Sequence, residues 1–509
     1  MKDNLILNNE QAFDDIEDEI RNKKKFNKYY IIPIISILLS GLIIILSIYY
    51  VKKKEGNQNN KNKKTENIIS TIIATYISTS YNQTINIINS SYLEHIISIE
   101  IDNEKINNSI SYTFKNKGNH IIYFKMNINN LYSLDYMFSF LNKLISISFS
   151  KGFDTTNITS MNNMFYICTN LISVDISNFN IEKVENISYM FSGCSSLTTI
   201  KFPNSKGLNL INVRNLFSNC KMLNSIDLSK FISNKLLNMA YTFYGCSSLT
   251  SIDISMINVE NVINMSSLFS NCYNLTTINY PKYKTKNLQY MNNIFQNCLS
   301  LKSIDLSIFN TKNITEMRAL FIGCSSLKYI NLSYFNTEKV TNMISLFNGC
   351  SSLTSIDLSN FNTTNLENIN YMFQDCKLLK YINISHFFTK NIRHMIYLFK
   401  DAYSLISANL SNFNPQNLGD ILGMFSGCSS LISVNLSNLN TKNIKNMNYM
   451  FAGCNNLTYI DISHFNKALK YNNFFTNLTS NGTIRIRKIL YNDIKGLIPE
   501  TWIKIFSDI

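Results

Sequence analysis

From Met137 to Asn466 the apolar positions follow a pattern that changes period within each unit and then starts again. In the unit beginning at Cys350, Leu353, Ile356, Leu358 and Phe361 give the spacing L-x-x-I-x-L-x-x-F. It returns as Leu249, Ile252, Ile254 and Ile257, and as Leu301, Ile304, Leu306 and Phe309. Ile356 and Leu358 alternate with Ser355, Asp357 and Ser359, which predicts a short strand with one face inward and one outward. In the second half, Leu366, Ile369, Met372, Phe373 and Cys376 are spaced three, three, one and three. That spacing predicts a short helical or 3-10 turn laying one side on the core. Neither half buries its apolar face alone. Stacked in register, the strands form a parallel sheet at ~4.8 Å per rung and the apolar positions join into one core. The expected fold class is an α/β-type repeat solenoid, with a leucine-rich-repeat-like parallel β-sheet on one side and short helical or 3-10 turns on the other.

The cysteines are the ruler of this array. Cys168, Cys194, Cys220, Cys246, Cys272, Cys298, Cys324, Cys350, Cys376, Cys428 and Cys454 fall on a step of 26, and the one missing term is Ala402. A fixed period of that size marks a stacked repeat. Neighbouring cysteines would lie one rung apart with parallel side chains, which suits a disulfide poorly, and a one-dimensional row does not converge on a metal. Ala402 fills the position without a thiol. The expectation is a row of buried free thiols.

The repeated string M-F-x-x-C-x-x-L-x-x-I-D-L-S-x-F-N-T resembles that of the BspA-like leucine-rich-repeat surface proteins. It opens as Met190–Cys194 followed by Leu197, and from its Phe onward it is complete at Phe347–Thr363. The resemblance spans about two-thirds of the chain, in some twelve or thirteen units, and the ending Thr479–Trp502 is similar to the way such proteins close. It implies a curved solenoid exposed at the cell surface, in a family linked to adhesion and to host or matrix binding.

The flanks predict a membrane anchor and two caps. Tyr29–Val51 is a 23-residue run without charge, about 34 Å long as a helix, enough to cross a bilayer, with tyrosines at both ends. Basic clusters lie on both sides, so charge does not orient it. The resemblance and the N-x-S/T sequons (Asn82, Asn157, Asn264, Asn313, Asn362 and Asn477 among them) favour a signal anchor with the repeats outside. The resulting organisation is a cytoplasmic tail (1–28), a transmembrane helix (29–51), a polar stalk (52–65), a stalk helix with a small β cap (66–136), the repeats (137–466) and a C-terminal cap (467–509). Ile68, Ile69, Ile72, Ile73, Tyr76 and Ile77 give the stalk its helical spacing. Tyr112–Lys115 and Ile121–Ile128 flank the turn Asn116–Asn119 and predict a hairpin, and Trp502 is expected to cover the last rung.

Composition narrows the function. The net charge of +14 in 509 residues permits contact with nucleic acid or membranes, but the outward strand face is neutral to acidic, so no nucleic-acid partner is expected. Asn is abundant in a way that looks partly like a coding bias. No HExxH, G-x-S-x-G, P-loop or dinucleotide glycine pattern is present, and the five histidines do not cluster in sequence. Asp175, Asp227, Asp253, Asp305, Asp357 and Asp461 repeat on the strand face, but Asn331 and Asn383 stand in for them, unlike a catalytic or metal-binding carboxylate. No catalytic residue, metal or cofactor is expected, and the chain is not expected to be an enzyme. The candidate binding residues are those of the outward strand face: Ser303, Asp305, Tyr329, Asn331, Ser355, Asp357, Tyr381 and Asn383. Their expected partner is an extracellular protein or glycan, while residues 29–51 meet the lipid bilayer. The alternative is a passive surface coat or spacer without a dedicated ligand.

Overall fold

The computed structural model describes residues 69–507, apart from Ser411, Lys467, Thr479 and Ser480. The tail, the apolar run 29–51 and the polar stalk lie outside the described residues. Among the described residues no helix is long and apolar enough to cross a membrane.

The repeats form a parallel β-solenoid of about thirteen turns. Its spine is a column of phenylalanines, one per rung from Phe138 to Phe475, with ring centroids 5.4 to 6.1 Å apart and planes within 22° of parallel. Stacking with that offset is a favoured aromatic geometry, and it leaves each ring in contact with the one above and below. The inward strand residues lie beside the column: Ile252, Ile382 and Val434 are buried while their neighbours along the strand face out.

The turn side differs from expectation. Its short i→i−3 bonds are present, as in Met372 N–H to Ile369 and Cys376 N–H to Phe373. No helix results, because two residues per rung are left-handed: Tyr371 (φ 59°) and Asp375 (φ 55°), one rung after Ser345 and Gly349. Each left-handed residue reverses the local winding, so the chain crosses the solenoid instead of coiling. The alternate N–H groups then point along the axis. Ile369, Tyr371, Phe373 and Asp375 donate to the carbonyls of His394, Ile396, Leu398 and Lys400 in the next rung, at 3.2, 2.9, 2.9 and 2.8 Å. Left-handed backbone costs an L-residue roughly 1–2 kcal/mol, and this ladder of backbone bonds offsets it. Glycine fits the second position without that cost, and at Gly323 (φ 72°) a Cβ would also run into the Asn297 side chain.

Two expectations at the N-terminus are corrected. The segment predicted as a stalk helix is strand β1 (Ile69–Ser78). Ile72, Ala74 and Tyr76 are buried and Ile73 is exposed, a period of two that isoleucines on both faces disguised as helical spacing. The predicted hairpin does not form either. β5 (Ser111–Phe114) pairs with β2 (Gln83–Asn86), whereas β6 (Gly118–Asn127) lies between β1 and β3 (Ile96–Ile101). The intervening turn therefore passes the chain from one sheet to another. With β4 (Glu104–Ile106) this cap continues directly into the solenoid: β1 pairs antiparallel with β7 (Leu144–Phe149), and β7 pairs parallel with β8 (Ser173–Asp175), which pairs with β9 (Thr199–Lys201).

Later rungs contribute β10 (Ser251–Asp253), β11 (Thr277–Asn279), β12 (Tyr381–Asn383), β13 (Ser407–Asn409), β14 (Ser433–Asn435) and β15 (Tyr459–Ile462). After Asn466 the register shortens: Asn446 bridges Lys470 and Asp461 pairs with Arg485, a step of 24 in place of 26. The loop there is two residues shorter, and the solenoid still adds a rung, β16 (Thr483–Arg487), before helix α1 (Lys488–Ile494) and edge strand β17 (Ile503–Ser507). Trp502 is buried against this rung, where its ring leaves room only for a glycine at 482.

All eleven cysteines are free and buried. Each is placed by the ladder beneath its turn, and its thiol donates to the carbonyl of the phenylalanine at the equivalent place in the preceding rung, as Cys324 Sγ does to Phe295 at 3.1 Å. Ala402 occupies the same buried position. Burial pushes the Cys324 thiol up to about 12, so almost no thiolate exists near neutral pH. Maleimide at pH 8 is therefore expected to leave the native repeats unlabelled and to modify all 11 cysteines once the chain is unfolded, as read by intact mass. Rapid native labelling of any rung would contradict this packing.

Candidate binding face and groove

The outward strand face begins with how each strand ends. In the D/N-L/I-S string the Asp or Asn side chain turns back on its own backbone. Asp305 Oδ1 accepts the Ser307 N–H at 2.9 Å, Asn331 the Ser333 N–H at 3.0 Å, Asp357 the Ser359 N–H at 2.9 Å and Asn383 the Ser385 N–H at 3.2 Å. This is an Asx turn, which either residue makes equally well, so Asp and Asn interchange along the row. The hydrogen bonds from Ser229 and Ser359, backbone before side chain, hold the carboxyls of Asp227 and Asp357 below the usual carboxylate range. At Asp253 the Ser255 side chain leads and has the same effect.

All eight candidate residues are exposed on successive rungs. Tyr329 and Tyr381 are 64% and 60% exposed. Each points to solvent because it occupies the outward position before the buried Ile330 or Ile382. Asn331, Asn383 and Asn435, which carry sequons, are exposed on the same face. The histidines do not join this surface as a cluster. His386 uses Nε2 to reach the Leu358 carbonyl at 2.9 Å, as Asn360 does to Leu332 one rung earlier. His120 lies in the cap, 2.6 Å from Asp102 through Nδ1 and 3.1 Å from the Asn116 carbonyl through Nε2.

Two rungs place Pro where the others have Ser: one reads Lys201-Phe202-Pro203 and has no Asx residue to turn, and the second keeps its Asx residue, Asn279, before the Pro. Where its neighbours have Ile254-Ser255 and Leu306-Ser307, this second rung has Tyr280-Pro281. Pro281 has no N–H, so Asn279 cannot form the Asx turn. Its amide instead donates to Asp253 Oδ2 at 3.0 Å. Tyr280 takes the inward place of a leucine, and its hydroxyl is buried without a hydrogen-bond partner. Burial pushes that phenol well above its ordinary value.

Strand pairing stops at β11 and resumes at β12, so Ser303–Asp305 and the two rungs after it make no strand ladder. On the turn side the bridges reach Asn264–Tyr290 and resume only at Glu316–Asn342. The result is a groove of about 520 Å³ bordered by Thr277, Asn279, Tyr280, Lys282, Ser303 and Asp305. It brings together two of the predicted residues, Ser303 and Asp305. Tyr329, Asn331, Ser355, Asp357, Tyr381 and Asn383 lie on the rungs beyond, outside the groove. The other seven lining residues, all within 276–282, were missed, although Pro at a position held by Ser in most rungs was a visible signal. Among the described residues no cluster of metal-ligating side chains occurs.

The family model described as "Mycoplasma protein of unknown function, DUF285" matches residues 108–207, 211–305, 300–407 and 378–484. No curated protein matches the chain. Among solved structures, a leucine-rich cell surface protein from Faecalibacterium prausnitzii is 18% identical over 66% of this chain and 79% of its own, with a TM-score of 0.30. A leucine-rich repeat protein from Eubacterium ventriosum is 16% identical over 64% of this chain and 82% of its own, again at 0.30. The pneumococcal vaccine antigen PcpA is 13% identical over 67% and 78%, at 0.23.

The lowered carboxyls set an acid limit. A carboxyl lowered by folding contributes stability that is complete above its ordinary value of about 3.8 and is lost as pH falls through the lowered one. Replacing Asp227, Asp253 and Asp357 with Asn keeps the Asx turns and removes the titration. The thermal midpoint of that variant is expected to fall less steeply than wild type between about pH 4 and pH 2. An unchanged slope would show that these turns do not govern the acid limb.

Proposed function

The chain belongs to the family described as Mycoplasma protein of unknown function, DUF285, and from that premise we propose that it is a non-catalytic surface protein whose strand face binds a partner. In this reading residues 29–51 anchor the chain as a signal-anchor helix, and the solenoid from Asn67 onward stands outside the cell. Its strand face meets an extracellular protein or glycan, in adhesion or recognition of the BspA-like kind. The observation that supports it most is the pair of exposed tyrosines, Tyr329 and Tyr381, in one register on a polar face of stacked rungs. Tyrosine combines a large rigid contact surface with a hydroxyl at low conformational cost, which is why it recurs in binding surfaces. The recurrence of the polar face across rungs suits an extended partner better than a reacting small molecule.

A passive coat is favoured by one observation: the Asp and Asn oxygens of the face are partly engaged by their own turns. The two readings separate by experiment. Residues 66–509 are expected to bind intact cells or matrix saturably, and Tyr329→Ala with Tyr381→Ala to weaken that binding by roughly 10- to 100-fold. Saturable binding that ignores both substitutions would move the contact off this face, and no saturable binding at all would favour the coat. Protease treatment of intact cells is expected to remove the repeats. Their survival would place them inside and sink the outward orientation.

A further inference from the structure

We infer that the groove at the Tyr280-Pro281 rung is a saccharide site, which accepts one or two rings of a neutral oligosaccharide. The inference rests on the binding reading above and gives it a place and a ligand chemistry.

It starts from the hydrogen-bonding capacity that the broken rung releases. In regular rungs the Asx oxygen is occupied by the serine N–H two residues on. Pro281 removes that donor, so Asn279, which lines the groove, lacks the turn bond to its Oδ1 while its Nδ2 is held by Asp253. Across the seam, Asp305 uses Oδ1 for its own turn and keeps Oδ2. Thr277, Ser303 and Lys282 line the same groove, and among the described residues their side chains make no hydrogen bond or ion pair. Two rungs thus line one groove with residues that carry two acceptors (Asn279 Oδ1 and Asp305 Oδ2), an ammonium donor and two hydroxyls that both donate and accept.

That inventory selects a ligand. An anion would meet one ammonium but also a carboxylate and an amide oxygen, and the last two present negative ends. An apolar side chain would leave five polar groups without partners. A sugar ring offers neighbouring hydroxyls that each donate and accept, so donors and acceptors are answered together. Charge agrees, since Lys282 and Asp305 balance. The volume of about 520 Å³ lies within the ordinary range for small-ligand sites. The same loop also exposes an aromatic face. Tyr283 stands at the repeat position of Ile257 and Phe309, which are 5% and 3% exposed, yet after Pro281 it is turned outward and 52% exposed.

The test uses the full-length chain and isothermal titration with maltotriose, cellotriose, mannotriose and triacetylchitotriose, with sialyllactose as the anionic control. At least one neutral saccharide is expected to bind. Tyr280→Leu with Pro281→Ser restores the regular string, removes the buried unpartnered hydroxyl and returns the donor to Asn279. This variant is expected to unfold at the same temperature as wild type or higher, and yet to bind the saccharide at least about tenfold more weakly. Asp305→Asn, which keeps the Asx turn as Asn331 does, tests the carboxylate separately and is expected to weaken binding without loss of stability. The inference is overturned if no neutral saccharide binds, if only sialyllactose does, or if the regularised variant binds as well as wild type. If saccharides fail while cell binding persists and depends on Tyr329 and Tyr381, the groove assignment falls and the binding reading stands. If cell binding fails as well, both fall.

Discussion

Everything in this solenoid hangs on the alternating ladder of the turn side, where every second backbone N–H reaches the next rung and the carbonyls between accept from the rung before. The remaining N–H groups close short turns on their own rung. A buried backbone polar group without a partner is costly, and this division satisfies a crossing segment with neither helix nor sheet. The ladder also fixes the distance between rungs, and with it the phenylalanine column and the row of thiols. Where the strand ladder lapses, as at Ser303–Asp305, the turn ladder still joins Asn293, Phe295 and Asn297 to Arg318, Leu320 and Ile322. It therefore carries the array through its irregular rungs.

The asparagine content takes on a physical meaning in this setting. Composition alone favoured a coding bias, yet many rungs use Asn or Asp for three Asx turns: at the strand end (Asn331), in the following loop (Asn336) and at the start of the turn segment (Asn342). Threonine supplies a further link. Thr311 Oγ1 donates to the Asn336 carbonyl at 2.9 Å and accepts the Asn336 N–H at 2.7 Å, so one hydroxyl clamps the next loop by both backbone groups. The recurring F-N-T is thus a set of rung-to-rung connectors and not a filler between apolar positions.

Much of the fold is legible in the chain because strands and stacking depend on a period that side chains display. Ile356 and Leu358 alternate with polar neighbours, and the cysteine step reports the rung. The turn side is less legible. Leu366, Ile369, Met372 and Phe373 show the spacing of a helix, but the left-handed conformation of Tyr371 depends on hydrogen bonds to a segment 26 residues away. β1 misleads for a related reason, since isoleucine on both faces erases the alternation that burial later reveals. At the candidate site, exposure of Tyr329 and Tyr381 follows directly from strand phase. The groove does not, because it arises from a donor that Pro281 lacks and an Asx turn whose role is visible only in its regular neighbours.

The cap has a consequence for the order of assembly. β7 is bonded on one side to an antiparallel partner and on the other to the first parallel one. Within the cap, β1 pairs with β6 and β7 across longer stretches of chain than the 26 residues that separate neighbouring rungs, so the cap has the costlier closure and each later rung the cheaper one. A finished cap gives the chain a rigid template against which the first rung pairs, and each completed rung becomes the template for the next. Because chain synthesis delivers the cap first, growth is seeded at one end. The two-residue contraction after Asn466 then breaks the register that would let a further identical rung continue it.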